Sequence, residues 1–555
     1  MKSLKYITIA GLTLLTLSLN SCSPEFLDRK PTTAVSNEEA LTSVTNVQSA
    51  TVGLMRYFAT SGYTGRNLPV IGDLIADNVT TIKGNSGHLL DIERWNISSS
   101  LGEVSTFWGG SYQIASAAAK VVEACENLRE GASSSEKTTL DKCKASALTV
   151  KVFAEYILTQ YYCLPYSAAG SSVFDGIGAT PADMNGIILI PKNHPIQADN
   201  AIDANSTLRN ASLDSTYKHM HEELADAIKL FGESSKDFST TSNAAYFPSL
   251  CMAYTLQARL YLEQGYYIDA NSTTNFENAY EAANNALNNL PNSAKKELVG
   301  DGQKFLEQFR SISAPTQEDI LTVNFTASDN LSSNSINNMF GSYGASVSKD
   351  VTDLFYNKNK DIRSVLYRDK PETKDLEIYS YCGKYPNQDQ INNVPVLRVP
   401  ELYLIQAEAR ANMTNSVDDP QYRDAMLATL GVRDTSIQGD YEKLKEAYFK
   451  NPSNPNNEAL SYVLDERRRE FAGEGHRWFD MRRTKTPLTH KNKTDFRIEF
   501  TNYPIYVFAF PIPESETNTG AWKNGKLKQN EFWNVKNGDS WSPKIPLPVD
   551  GGVYT

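Results

Sequence analysis

The chain has 555 residues, 40% apolar and 21% charged, with a mean hydropathy of −0.43 and a formal charge of −11. That length and balance allow a large core in two or three lobes. The acidity argues against binding nucleic acid or anionic lipid through bulk electrostatics. Past the N-terminus no stretch approaches the ~18 consecutive apolar residues of a membrane span.

The first element is a leader, MKSLKYITIAGLTLLTLSLNSC. Lys2 and Lys5 form a basic head and Ile7 to Leu19 an apolar run, too short for a transmembrane anchor. Leu19, Ser21 and Cys22 fall where a bacterial lipobox places its −3, −1 and +1 residues, with Asn20 a loose match at −2. A cleaved signal with a chance cysteine is the alternative. On the lipobox reading the Cys22 thiol takes the lipid, and several acyl chains tether the protein stably. Residues 1–21 are then a signal peptide and 22–36, polar with two prolines, a lipidated tether.

Helical periodicity follows, over about 37–60, 104–130, 135–163, 214–231, 243–265, 275–290, 399–413 and 456–472. Several segments carry alanines on one face (Ala253, Ala258, Ala279, Ala283, Ala286), which lets neighbouring helices approach closely. The expected fold is mainly α: about eight helices in irregular tetratricopeptide-like pairs, with long loop-rich insertions and minor β-strands. A generic all-α domain without repeat ancestry is the alternative. The insertions are 61–103, 164–212, 291–397 and 484–555, the last holding the strand-like YPIYVFAFPI (503–512). We divide the mature chain into a helical N-terminal region, 37–290, and a C-terminal region, 291–555, with a loop-rich insertion and a closing helix pair.

Catalytic and metal patterns are sparse. Of six histidines only His219 and His221 are close, and two residues apart on a helix they face different ways. No zinc-protease helix, nucleophile elbow, phosphate loop or dinucleotide fingerprint occurs, so no catalytic residue, metal or cofactor is assigned. Five cysteines remain after Cys22. Cys125 and Cys143 lie at similar heights if EGASSSE turns two antiparallel helices, so a bridge is conceivable beside the simpler reading as buried thiols.

Aromatic residues point to binding instead. The chain holds 29 tyrosines and six tryptophans, and ring faces attract the C–H faces of sugars while Asn, Asp and Arg supply directional hydrogen bonds. One cluster lies in the first insertion: Tyr63, Arg66, Asp73, Asn78, Arg94, Trp95 and Asn96. A second includes Phe340, Tyr343, Tyr356, Tyr379, Tyr381 and Tyr385. Trp95, in a polar loop, suits a stacking platform or packing equally; Trp108, leading into a helix, suits packing. The ligand-binding candidates are Tyr63, Arg66, Trp95, Asn96, Tyr343 and Tyr381. On the platform reading, Trp95→Ala weakens binding and leaves the melting temperature alone.

The densest charge is ERRREFAGEGHRWFDMRR, Glu466 to Arg483, with six arginines against five carboxylates counting Asp465. On a helix Leu460, Val463, Leu464, Arg467 and Phe471 share a stripe, so Arg467 points inward and needs Glu470, Glu474 or Asp480. We expect a self-pairing clamp that closes the last helix pair, built on Arg467, Glu470, Glu474, Arg477 and Asp480.

Together, the lipobox with EFLDRKP, TFWGGSYQI (106–114), VLRVPELYLIQAEA (396–409), LDERRREFAGEGHRWFDMRR (464–483) and IPESETNTGAWKNGKLKQN (512–530) resemble the SusD/RagB family of cell-surface nutrient-binding lipoproteins. The resemblance implies four irregular tetratricopeptide-like helix pairs under a ligand-binding face. It also implies anchorage at the outer membrane and a SusC-like TonB-dependent barrel as partner, over which the protein sits as a lid. Such proteins capture oligosaccharides, or in the RagB branch peptides, without cleaving them. A surface glycoside hydrolase is the contrasting class. Ligand residues vary within the family and are not carried over.

Overall fold

The structure, a computed structural model, describes residues 41–170, 180–190 and 211–486 except for 82–84, 86, 239–243, 312–313, 358, 370–379 and 387–388. Beyond 486 it describes short segments, chiefly 489–491, 497–499, 509–518, 535–537 and 540–542. The leader, Cys22, the tether, Tyr379 and most of the 503–512 run lie outside the described residues.

The chain is mainly helical, as the periodicity predicts. The principal helices are α1 (Val44–Phe58), α2 (Asn67–Leu74), α3 (Gly102–Arg129), α4 (Ser134–Tyr162), α5 (Leu213–Ser234), α6 (Leu250–Gly265), α7 (Ser272–Asn288), α8 (Val399–Thr414), α9 (Pro420–Ala428), α10 (Tyr441–Tyr448), α11 (Glu458–Phe471) and α12 (Arg477–Thr484). Consecutive helices pack as antiparallel pairs, α3 on α4, α6 on α7 and α8 on α9, and α4–α5 and α7–α8 contacts join the pairs into a stack. Side-chain caps set the starts. Ser133 and Glu136 form a reciprocal capping box at α4, and Ser43, Ser212, Ser249 and Asn457 cap α1, α5, α6 and α11.

From Ala145 to Cys163 every residue of α4 and its cap is buried, which places this helix at the centre of the stack. Ala253, Ala258, Ala279, Ala283 and Ala286 are fully buried where α6 meets its neighbours. Cys125 and Cys143 are buried free thiols, as are Cys251 and Cys382, and Cys163 is buried as well.

Small strands staple the insertions to the stack. These are β1 (Val79–Thr81), β2 (Asp319–Val323), β3 (Ala345–Val347), β4 (Tyr367–Asp369), β5 (Ser380–Cys382) and β6 (Val394–Arg398). β1, β3, β5 and β4 form one antiparallel sheet in that order. β2 pairs with β6, which runs directly into α8. The pairing of β1 with β3 bridges more than 260 positions of sequence through Val79↔Val347, Thr80↔Ser346 and Thr81↔Ala345.

Candidate functional site

Arg66 and Tyr343, selected from different insertions, are brought to one surface. Arg66 precedes α2 and sends Nε to Asn67 Oδ1 at 2.8 Å and Nη1 to Asn334 Oδ1 at 3.4 Å. Burial lowers its pKa, and the nearby Glu103 and Tyr343 work against that shift. Tyr343 is half-buried, its N–H donating to Asn338 O at 2.8 Å. Its ring stacks on His88, with centroids 3.7 Å apart and planes 24° apart. The outcome is a surface patch with a guanidinium, a phenol, an imidazole and the Asn334 amide, drawn from three loops.

Local chemistry holds those loops in place. Gly87 (φ +96°) and Leu89 (φ +58°) turn the chain at His88, and Trp95 (φ +57°) turns it again after a short helix, Leu90–Glu93. Left-handed Leu and Trp are uncommon and need a surrounding structure that enforces them. Glu93 is fully buried and provides it: its Oε1 accepts Thr80 Oγ1 at 2.6 Å and Thr81 N at 2.8 Å, and its Oε2 accepts Thr81 Oγ1. The His88 loop is thereby fixed to β1, β1 to β3, and β3 follows Tyr343 directly.

Trp95 requires a correction. It is 4% exposed and meets Trp478 edge-on at 6.0 Å. The left-handed backbone at Trp95 turns the ring into the core between two exposed neighbours, Arg94 and Asn96. It offers no stacking platform. Trp95→Ala will cost about 3 kcal/mol, in the range for emptying a buried aromatic site. A melting temperature equal to that of the unmodified protein would refute the packing. Tyr63 is corrected likewise: it is 1% exposed, packs on Phe58 and Phe153, and accepts Ser111 Oγ at 3.3 Å. Asn96 is exposed with Nδ2 on Asp91 Oδ1 at 3.1 Å. Tyr381 pairs with Arg368 through its backbone in β5, and its side chain lies outside the described residues. Phe340 and Tyr385 are buried and stacked on each other. His88 and Asn334 escaped sequence reading; the glycines around His88 were the available signal.

The 466–483 stretch supports the patch from beneath. Buried Asp73 of α2 accepts Gly473 N at 2.6 Å and Arg477 N at 3.1 Å. Burial pushes this carboxyl up to about 7, against backbone bonds from Arg477, Gly473 and Gly475 and the charge of Lys384. A Cβ on Gly72 would lie 2.2 Å from Gly475 O, so the two backbones touch there. Arg477 Nε bonds Asp77 at 2.6 Å and Arg468 Nε bonds Asn78 at 2.9 Å.

The expected self-pairing of this stretch holds only in part. Arg467 Nε sits 2.9 Å from both Asp480 oxygens, Arg483 joins Asp480 at 2.7 Å, and Arg469 joins Glu466 at 2.8 Å. Glu470 and Glu474 find their partners elsewhere. Glu470 accepts Arg363 at 3.1 Å, Arg398 at 2.9 Å and Arg433 at 2.9 Å. Glu474 takes Lys384 at 2.5 Å and Arg398 at 2.7 Å. Burial opposes the Glu470 charge, but Arg433, Arg398 and Arg363 outweigh it and hold the carboxyl well below its usual range.

Among the described residues Glu155, His219 and Glu223 have metal-ligand spacing, their donor atoms lying within 4.8 Å of one another. Lys151 Nζ already occupies their midst, at 2.7 Å from Glu155, 2.8 Å from Glu223 and 3.1 Å from His219. An ammonium in that position fills the role of the cation.

A model of the SusD family matches residues 262–533. A second, described as starch-binding associating with outer membrane, matches 25–262. Among solved structures, a SusD superfamily protein of Bacteroides thetaiotaomicron has a TM-score of 0.68 at 18% identity, over 88% of this chain and 99% of its own. A SusD-like carbohydrate binding protein of Bacteroides vulgatus has 0.63 at 15%, over 89% and 100%. Surface glycan-binding protein A of Bacteroides thetaiotaomicron has 0.61 at 13%, over 89% and 100%. At these identities the likeness carries the fold. Comparison with curated proteins gives no match.

Proposed function

Since the chain belongs to the SusD/RagB family, we propose that it is a cell-surface lipoprotein that captures an oligosaccharide without cleaving it and delivers it, as a lid, to a SusC-like TonB-dependent barrel. The observation that carries the binding part is the Arg66–Tyr343–His88 patch, fixed by Glu93 and the β1–β3 pairing. A phenol beside a guanidinium gives a ring for C–H faces and a fork of donors for hydroxyls. Lipid attachment at Cys22 rests on the lipobox and agrees with the family description of outer-membrane association. Carbohydrate binding is named for two of the structural neighbours.

The test is calorimetry on residues 23–555 with oligosaccharides and oligopeptides in parallel, together with an assay for reducing-sugar release. Saccharide binding without release is expected. Binding of peptides alone moves the protein to the RagB type of ligand, and reducing ends appearing over time would make it a hydrolase. Arg66→Ala together with Tyr343→Ala will weaken the saccharide at least tenfold, through loss of a charged hydrogen bond worth about 1.5–3 kcal/mol; unchanged affinity places the site elsewhere.

A further inference from the structure

The segment from α9 to α11 packs with α8 around a second apolar cluster, with Leu404, Tyr422, Met426, Tyr441, Leu444 and Val463 buried. On its outer side lies a cleft of about 570 Å³ lined by Phe449, Tyr462, Glu442, Lys443, Glu446 and Glu458. That volume falls within the ~300–1,000 Å³ of small-ligand sites. Phe449 and Tyr462 lie parallel, with centroids 4.4 Å apart and planes 7° apart. Tyr441 braces Phe449 edge-on at 6.1 Å. Phe449 is half-exposed, so a flat apolar surface is held in place before any ligand arrives.

Donors and acceptors are mixed around these rings. Lys445 is tied to Asp418 at 2.8 Å, while Glu446 and Glu458 form no salt bridge among the described residues. A ligand charged in either sense meets repulsion from part of this rim as well as attraction from the rest. A polyhydroxylated ring gains from both kinds of group, hydroxyls donating to carboxylates and accepting from ammoniums. The cleft is separate from the first patch. Glu458 and Arg468, which reaches Asn78 behind the patch, are about 15 Å apart along α11.

We propose that this cleft is a second saccharide-binding site, taking a neutral pyranose unit. The inference rests on the saccharide reading above. Its test is calorimetry on residues 23–555 with maltoheptaose, cellohexaose, xylohexaose and mannohexaose. Two sites per chain are expected for the sugar that binds. Glu446→Ala with Phe449→Leu will reduce the count to one, and Arg66→Ala with Tyr343→Ala will leave one. Should Phe449→Leu fail to fold, Glu446→Ala with Glu458→Ala, both exposed positions, must weaken one of the two sites at least fivefold. A single site that groove substitutions do not move overturns this proposal alone. No binding of any of the four sugars overturns it together with the saccharide reading.

Discussion

Replacing Glu470 with glutamine will destabilise the protein by about 3–5 kcal/mol at pH 7, the range for breaking a buried ion pair from one side. Three guanidiniums, of Arg363, Arg398 and Arg433, converge on this carboxylate, and all four side chains are at most 3% exposed. Each arginine keeps other partners: Asp361 and Glu466 for Arg363, Glu318 for Arg433, Glu474 for Arg398. The amide preserves shape and one acceptor, so the deficit isolates the missing charge. Because the folded-state pKa of Glu470 is depressed, its contribution is complete above the unfolded value near 4.3 and is lost as pH falls through the folded one. The gap between the two proteins should therefore narrow in strong acid. Urea midpoints at pH 7 and pH 3 provide the check, and equal midpoints at pH 7 would sink the hub.

Lys151→Met should cost nearly as much, about 3–4 kcal/mol, because two buried carboxylates lose their shared ammonium. Here the pH dependence has the opposite sense. Burial opposes ionisation of Glu155, but Lys151 and His219 prevail and keep it below the usual range. Glu223 is pushed up to about 7 by burial and the Glu155 charge. Burial depresses His219, but Glu155 prevails and raises it. A carboxyl raised in the fold holds a proton that the unfolded chain releases, so Glu223 favours the fold below about pH 4.5 and this advantage fades by pH 7. His219 acts in the same sense around its own range. Without Lys151 both carboxylates shift up, Glu155 from its depressed position and Glu223 further still, so the variant should regain stability on going from pH 8 to pH 5. Thermal melts across that interval test the claim, which fails if the deficit grows toward acid.

The segments predicted as helices all fold as helices, within several residues at each end, because they carry an amphipathic period and, in most cases, a Ser or Asn cap. The starts differ most in α1 and α6, whose described helices begin at Val44 and Leu250 against expected starts near 37 and 243; residues 37–40 lie outside the described residues. α2 was hidden for the opposite reason: every residue of NLPVIGDL is buried, so no polar face marks its period. α9, α10 and α12, of eight or nine residues, are too short for periodicity to register. Trp95 shows a different limit. Its polar neighbours leave platform and packing equally open, but one left-handed residue turns the side chain inward, and nothing in the letters R-W-N announces that. Long-range pairing was the least legible. Glu470 was visible as a charge needing a partner, yet Arg363 stands 107 positions away. Arg66 and Tyr343 were chosen separately, and the β1–β3 register is what brings them together.

The arrangement around Glu470 also imposes an order on biosynthesis. Glu318, Arg363, Arg398 and Arg433 are all translated before the residue that unites them. A polypeptide stopped short of position 470 would leave Arg363, Arg398 and Arg433 without the carboxylate they share, and is expected to be less stable and more readily cut by proteases. The carboxylate on α11 thus has to be made before this part of the core can close on its three arginines.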